Sequence, residues 1–373
     1  MTELVIPANL LPVDGRFGSG PAKIRADALT RLGSRGEIMG TSHRQAPVRK
    51  LVQHVQEMLA ELYRLPEGYQ VVLGNGGATL FWDMATSCLI RQRSAYGVCG
   101  EFSKKFADSA KAAPFLDEPY IDKVEYGTSV VPAARADVDL YGWAQNETST
   151  GAVAPVLRPE GAGPDSLVVI DATSAAGGMD ADLTQADVYY FSPQKNFSSD
   201  GGLWIAVCSP TALERSEQLT GSGRWIPQSL NLTLAAENSA KHQTLNTPAI
   251  ATLLLLEDQL SWLLGNGGIG FAVQRTTAST SQLYRWAESN EFATPFVKDV
   301  AQRSPVVATI DFDERIDHQV LLDGLRANGI VDLFPYRSLG RNQIRVGCYA
   351  SVDPDDVTAL IACLDFVLPR IAR

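Results

Sequence analysis

The stretch from Leu167 to Lys195 decides the fold and reads LVVIDATSAAGGMDADLTQADVYYFSPQK. It contains two short apolar runs, Leu167–Ile170 and Val188–Phe191, and each run ends directly at polar residues. Runs that are apolar almost throughout are typical of strands covered on both faces of a mainly parallel sheet. Ligands bind such sheets beyond the carboxyl ends of the strands. The residues that follow each run, beginning with Asp171 and Lys195, are therefore the first candidates for a functional site.

Similar apolar runs lie on both sides of this stretch. They are Gln70–Leu73, Ala95–Cys99, Val138–Trp143 and Leu203–Cys208. Helix-like segments lie between some of the runs, and the segment from Val48 to Leu62 has helical spacing with one apolar face. The pattern predicts an α/β fold with a mixed, mainly parallel sheet.

A second region begins at the break Asn266-Gly267-Gly268. The pattern after it predicts a long helix to about Asn290, a strand, a helix capped by Asp317, a second strand and a final helix opened by Pro354. We therefore expect two domains, because 373 residues are too many for one ordinary core. These are a large domain over residues 1–265, which includes an N-terminal arm, and a smaller C-terminal α+β domain over residues 266–373.

Composition excludes several classes of protein. A formal net charge of −10 argues against nonspecific binding to nucleic acid. The apolar stretches are too short to span a membrane, and the first ten residues contain no Lys or Arg of a targeting signal. Five cysteines without a CxxC motif indicate reduced thiols in a cytoplasmic protein. The four histidines lack metal-ligand spacing, so no metal site is expected.

The polar residues after the predicted strands form a set that suits pyridoxal 5'-phosphate (PLP). Lys195 would bond to the cofactor through its ε-amine and later move the substrate Cα proton. Asp171 would pair with the pyridinium nitrogen and keep the ring an electron sink. Phe102 could stack on that ring, and Thr148 could hydrogen-bond its hydroxyl oxygen. The helix start at Gly77, Ala78 and Thr79 offers N–H groups for the phosphate.

Each of these residues also has an ordinary structural interpretation. Lys195 could be a surface lysine, Asp171 could cap the next helix, and the glycine-rich turn could merely turn. Phe102 and Thr148 taken singly suit packing or a turn. The combination favours catalysis, because Asp171 follows one predicted strand and Lys195 lies after the next, 24 residues later.

Short motifs in a fixed order carry a resemblance to a known family. They are Phe17-Gly18-Ser19-Gly20-Pro21, Thr41-Ser42-His43-Arg44, Gly76-Gly77-Ala78-Thr79, Asn146-Glu147-Thr148, Gln194-Lys195-Asn196 and Asn246-Thr247-Pro248. The chain resembles the phosphoserine aminotransferase family over nearly its whole length, and its actinobacterial-type branch most. That family belongs to the class V aminotransferases with PLP fold type I, so the resemblance implies that fold, an enzyme and PLP as cofactor.

The resemblance also implies a homodimer with active sites at the subunit interface. Asn246 and Thr247 would reach the PLP phosphate of the partner subunit. Gln194 would contact the phosphate within its own subunit, and Ser174 is a further candidate for that contact.

The resemblance assigns the substrate-binding roles to basic residues. Arg345 would hold the α-carboxylate, and His43 with Arg44 would hold the second anion. Other branches carry a His-Arg pair before the carboxylate arginine, where this chain has Tyr336-Arg337 and, four residues further on, Arg341. Either Arg337 or Arg341 could replace that pair, and the sequence leaves the choice open. Arginine suits both carboxylate and phosphate, because its planar fork binds either one bidentately.

The implied reaction is a ping-pong transfer of the amino group from L-glutamate to 3-phosphohydroxypyruvate, which yields O-phospho-L-serine for serine biosynthesis. Whether 3-hydroxy-2-oxo-4-phosphooxybutanoate is also a substrate, for PLP biosynthesis, stays open. One alternative is another class V transaminase of the alanine–glyoxylate type, which would need no second anion site. Another is a non-catalytic cofactor-binding α/β protein, which the fold would permit but which would need neither Lys195 nor Asp171.

Overall fold

The computed structural model describes residues 4–373. The helices are α1 Ala26–Ser34, α2 Ala46–Tyr63, α3 Ala78–Cys88, α4 Glu101–Ala112, α5 Pro210–Gly221, α6 Leu232–Ser239, α7 Ile250–Gly265, α8 Gly268–Ser289, α9 His318–Ala327 and α10 Pro354–Ile371. The strands are β1 Gln70–Gly76, β2 Ser94–Val98, β3 Tyr120–Lys123, β4 Leu140–Ala144, β5 Asn146–Glu147, β6 Ala152–Val153, β7 Leu167–Asp171, β8 Val188–Phe191, β9 Gly202–Cys208, β10 Ala293–Pro295, β11 Val307–Phe312 and β12 Gln343–Gly347.

Seven strands form the main sheet in the order β1-β9-β8-β7-β4-β2-β3. The strands from β8 to β3 pair in parallel, and β9 runs antiparallel to both of its neighbours. Every residue of β4, β7 and β8 is buried, as expected for strands covered on both faces. The predicted mixed, mainly parallel sheet is confirmed. Asp171 pairs with Ala144 and Tyr190, so the carboxyl ends of these three strands meet at one edge.

Helices cover both faces of this sheet. On one face α2 and α7 pack over the strands, and on the other face α3, α4 and α6 do so. The apolar side that the sequence predicts for α2, from Val48 to Leu62, is buried throughout. The five cysteines are buried and make no disulfide with one another.

A second, antiparallel sheet, β10-β11-β12, packs against α8, α9 and α10. The predicted break is confirmed, because α7 ends at Gly265 and α8 begins at Gly268. Gly267 between them has a φ of 117°, which favours glycine. The predicted starts of α9 and α10 are also present. Asp317 Oδ1 accepts from the Gln319 N–H at 2.9 Å, and Asp353 caps α10 with Pro354 at its first position.

The two cores share elements. Helix α8 contributes Ile269 to the core of the main sheet and Leu283 to the C-terminal core. Ile6 and Phe17 of the N-terminal arm are buried in the C-terminal core, although the sequence assigned that arm to the large domain. The division at residues 265 and 266 therefore stays a prediction. Within residues 4–373, no helix combines the length and apolar character needed to cross a membrane.

Candidate active site

A cavity of about 360 Å³ lies at the carboxyl edge of the main sheet, within the size range of cofactor pockets. It brings together residues from β7, the loops after β4 and β8, the start of α3, α4, β12 and the N-terminal arm. The predicted residues that line it are Gly77, Ala78, Thr79, Phe102, Thr148, Asp171, Ser174, Gln194, Lys195 and Arg345.

Lys195 lies in the turn after β8 with its side chain inside this cavity. Only 7% of the residue is exposed, and Nζ donates to Thr148 Oγ1 at 2.9 Å. Burial lowers the pKa of Lys195 to about 8, which opposes the raising effects of Asp171 and Glu147. The neutral amine, which is the nucleophilic form, is therefore accessible close to neutral pH. The packing is tight, because a Cβ on Gly20 would lie 2.9 Å from Lys195 Cε.

A chain of hydrogen bonds fixes the Thr148 hydroxyl. Thr148 Oγ1 donates to Ser174 Oγ at 2.8 Å, and Ser174 Oγ donates to the Asn146 carbonyl at 2.9 Å. The Asn146 amide also donates to Ser174 Oγ at 2.8 Å. Ser174 thus acts here through Thr148, which is the immediate partner of Lys195.

Asp171 ends β7 and is 5% exposed. Its Oδ1 accepts from the Thr173 N–H at 2.9 Å, and its Oδ2 accepts from Trp82 Nε1 at 3.1 Å. The sequence offered a capping role and a cofactor role for Asp171 as alternatives. In the structure the same side chain caps the following turn and lines the cavity. Neither donor carries a charge, so neither competes with a cationic ring nitrogen for an ion pair with Asp171.

The sequence did not indicate Trp82 as a site residue. It lies three residues after Thr79 in α3, so both side chains share one face of the helix. The three-residue spacing from Thr79 within the predicted helix is the signal in the sequence that could have indicated Trp82.

Glu147 is a second residue to which the sequence assigned no role. Its carboxylate is fully buried and accepts from the N–H groups of Ser103 at 2.8 Å and Phe102 at 3.3 Å. The side chain therefore caps the start of α4 and holds Phe102 in place. The Phe102 ring centroid lies 5.1 Å from Lys195 Nζ.

Several polar atoms of the cavity wall are buried without a hydrogen-bond partner among residues 4–373. They are Asn146 Oδ1, Thr173 Oγ1 and Gln194 Oε1. Buried polar atoms are rarely left unsatisfied, so the cavity suits a polar ligand. The first N–H groups of α3, which begins at Ala78 directly after Gly77, offer a place for a phosphate. The residues present fit PLP.

Arg345 extends from β12 into the same cavity. Its Nε donates to the Phe334 carbonyl and its Nη1 to the Thr148 carbonyl, both at 3.0 Å. Burial lowers the pKa of Arg345 from its ordinary value. No carboxylate of the described chain forms an ion pair with it. The guanidinium is thus oriented by neutral groups, and its charge is available to an anion.

Apart from the two C-terminal arginines Arg337 and Arg341, the predicted residues that lie outside the cavity of their own chain are His43, Arg44, Asn246 and Thr247. His43 Nδ1 and Thr247 Oγ1 are 3.2 Å apart, and Asn75 Nδ2 donates to the Thr247 carbonyl at 2.7 Å. Burial and the charge of Arg44 lower the pKa of His43. The segment with His43 and Arg44 therefore contacts the segment with Asn246 and Thr247, and neither segment contacts Lys195 of the same chain.

Arg337 and Arg341 line a neighbouring cavity that shares Tyr336 and Arg345 with the first. The Arg341 guanidinium is already paired with the Asp311 carboxylate. Arg341 is therefore less available to a substrate anion than the sequence suggested.

Comparison with known proteins identifies the family of the chain. The aminotransferase class-V family matches residues 132–331. A putative phosphoserine aminotransferase of Mycolicibacterium vanbaalenii is 55% identical over 369 residues, 99% of both chains. The phosphoserine aminotransferase of Rhodococcus opacus is 54% identical over 368 residues, 98% of both chains.

Solved structures share the fold. A phosphoserine aminotransferase from Cytophaga hutchinsonii superposes with a TM-score of 0.87 at 22% identity, over 95% of this chain and 99% of that one. The enzyme from Bacillus circulans subsp. alkalophilus gives 0.81 at 22% identity, over 96% and 98%. With the full-length relatives above, these findings establish that the chain belongs to the class V aminotransferases and is a PLP-dependent transaminase.

Proposed function

We propose that this chain is a phosphoserine aminotransferase, which transfers the amino group of L-glutamate to 3-phosphohydroxypyruvate and releases O-phospho-L-serine and 2-oxoglutarate. The observation that carries the proposal is the junction of two cavities at Arg345 and Tyr336. One cavity contains Lys195 and Asp171, and the other is rich in cations. Both substrates carry an α-carboxylate and a distal anion, which this pair of cavities suits. The names of the full-length relatives support the same assignment.

The residues of the cavity have distinct roles in this proposal. PLP, when bound, withdraws electrons from the substrate Cα and carries the amino group between the two substrates. Lys195 would hold the cofactor through its amine and would move the proton at the substrate Cα, and its lowered pKa suits that proton exchange. Asp171 would pair with the ring nitrogen and keep it protonated, and Phe102 would lie against the ring. Thr148 positions the Lys195 amine through the contact at 2.9 Å.

Phosphate and carboxylate recognition use separate groups. We assign the binding of the cofactor phosphate to Gly77, Ala78, Thr79 and Gln194. Ser174 has a different role, because it orients the Thr148 hydroxyl. Arg345 binds the α-carboxylate, because two carbonyls orient it and leave its charge free. For the distal anion we prefer Arg337 to Arg341, which Asp311 already neutralises.

The enzyme is proposed to be a homodimer with shared sites. His43, Arg44, Asn246 and Thr247 lie outside the cavity of their own chain, which supports their use in the site of a second copy. We place the reaction in the cytoplasm, and the absence of disulfides among the five buried cysteines supports a reducing compartment.

Visible absorbance of the PLP-loaded protein tests the proposal. We expect the cofactor band to disappear on adding L-glutamate and to return with 3-phosphohydroxypyruvate, but not with pyruvate or glyoxylate. 3-Hydroxy-2-oxo-4-phosphooxybutanoate has the same two anions, and its effect in this assay would decide whether PLP biosynthesis is a second role. A band that glutamate leaves unchanged, or that glyoxylate restores equally well, would overturn the substrate assignment.

A further inference from the structure

The cation-rich cavity beside the cofactor site has a volume of about 980 Å³ and opens to solvent. Lys105, Arg337, Arg341 and Arg345 line it, although the chain as a whole has a net charge of −10. Such a local concentration of positive charge attracts anions against the overall field. The question is which of these cations is free to hold a ligand.

The arginines differ in their partners. Arg341 is paired with Asp311, and its guanidinium also lies 4.4 Å from the Phe296 ring centroid. Arg345 belongs to the cofactor cavity, where the proposed function assigns it to the α-carboxylate. Neither of them is a new candidate for the distal anion.

Lys105 has no role in the site described so far. It lies three residues after Phe102 in α4, so both side chains share one helix face. Its Nζ is 3.4 Å from Tyr336 Oη and 5.8 Å from the Phe102 ring centroid. Across residues 4–373 no carboxylate forms an ion pair with Lys105, whereas the adjacent Lys104 pairs with Asp108 at 2.5 Å.

A single tyrosine connects Lys105 with the carboxylate arginine. The Tyr336 hydroxyl contacts the Lys105 ammonium, and the Tyr336 ring centroid lies 5.2 Å from Arg345 Cζ. A substrate with one anion on Arg345 and a second anion a few bonds away would therefore extend along Tyr336 towards Lys105. Glu101, which also lines this cavity, lies one helical turn before Lys105 and opposes anion binding.

We propose that Lys105 is a specificity-determining residue whose ammonium contacts the distal phosphate of the substrate. This inference rests on the proposed function, since it presupposes a substrate with two anions. Lysine is a compact point charge that binds phosphate well. A phosphate monoester carries nearly two negative charges at pH 8, and a carboxylate carries one. The Coulomb energy scales with charge, so the same contact favours phosphate over carboxylate.

Binding of two unreactive ligands to the PLP-loaded enzyme tests the inference. 3-Phosphoglycerate carries a carboxylate and a phosphate, whereas glutarate carries two carboxylates, and neither has an amine or a ketone. We expect Lys105→Met to weaken 3-phosphoglycerate about tenfold and glutarate about threefold by calorimetry at pH 8, because halving the charge halves the energy. Lys104→Met, on the same helix but paired with Asp108, should leave both affinities unchanged.

The outcomes distinguish a failure of the role of Lys105 from a failure of the proposed function. Equal losses for the two ligands, or no loss for either, would overturn the role of Lys105. Lys105→Arg keeps the charge and should retain most of the phosphate affinity, and a full loss in that variant would also overturn it. If the wild-type enzyme fails to prefer 3-phosphohydroxypyruvate over pyruvate, the proposed function itself fails. If it shows that preference and Lys105→Met changes nothing, only this inference fails.

Discussion

Replacing Lys195 by methionine should stabilise the cofactor-free protein. The folded protein holds this amine in a buried cavity, where its pKa falls from 10.5 to about 8. Below pH 8 the amine is protonated in both the folded and the unfolded state, so the folded state bears the full cost of the buried charge. Between pH 8 and 10.5 only the unfolded state retains the proton, so the cost declines as the pH rises. Methionine has a similar shape and no charge, and it removes this cost.

The pKa shift sets the size of the effect. The difference of 2.5 between the two pKa values corresponds to about 3 kcal/mol at pH 7, and linkage reduces it to about 1.4 kcal/mol at pH 9.5. Loss of the hydrogen bond to Thr148 offsets about 1 kcal/mol of the gain at both pH values. The expected stabilisation is therefore about 2 kcal/mol at pH 7, and it falls close to zero at pH 9.5.

Urea unfolding of the two cofactor-free proteins measures this difference, at pH 7 and 9.5 and at one fixed protein concentration. Lys104→Met serves as the control, because Lys104 is exposed and its replacement relieves no buried charge. A Lys195→Met protein whose stability relative to wild type does not depend on pH would refute the reasoning. A protein that is less stable than wild type at pH 7 would refute it as well.

Three further predictions concern the cofactor and substrate contacts. Trp82→Phe removes the donor to Asp171 Oδ2, so the dissociation constant of PLP should rise about tenfold in absorbance titrations, as expected for one hydrogen bond to a charged group. Arg345→Lys cannot make both carbonyl contacts, so the KM for L-glutamate should rise on the order of 30-fold in steady-state assays while the melting temperature changes little. If Asn246 serves the partner's site, mixed dimers of Lys195→Ala and Asn246→Ala chains should regain one intact site, and activity should exceed that of both parents. Mixtures no more active than their parents would place Asn246 in the site of its own chain.

The local pattern of apolar and polar residues was sufficient to predict much of the architecture. The buried strands β4, β7 and β8 appear in the sequence as uninterrupted apolar runs, because both faces are covered. The buried face of α2 follows from the helical spacing of its apolar residues. The starts of α9 and α10 follow from the capping residues beside them, so neither feature depends on contacts with distant segments.

The polar residues that follow the predicted strands were sufficient to predict which side chains lie at the centre of the cavity. Parallel strands bring their carboxyl ends to one edge, so Thr148, Asp171 and Lys195 had to converge once the sheet was predicted. The hydrogen bond from Lys195 to Thr148 joins residues that are 47 positions apart. They follow β8 and β4, the two strands that flank β7 in the sheet.

The sequence by itself thus determined the strands and the polar residues that follow them, because hydrophobic periodicity and succession along the chain are local properties. The tertiary structure alone decided which charges are free. Asp311 neutralises Arg341, one of the two arginines between which the sequence left the substrate role open. Lys105 meets Tyr336, which lies 231 positions away, only because α4 lies beside the segment between α9 and β12. These two contacts join segments that are distant along the chain, and no local pattern of residues encodes them.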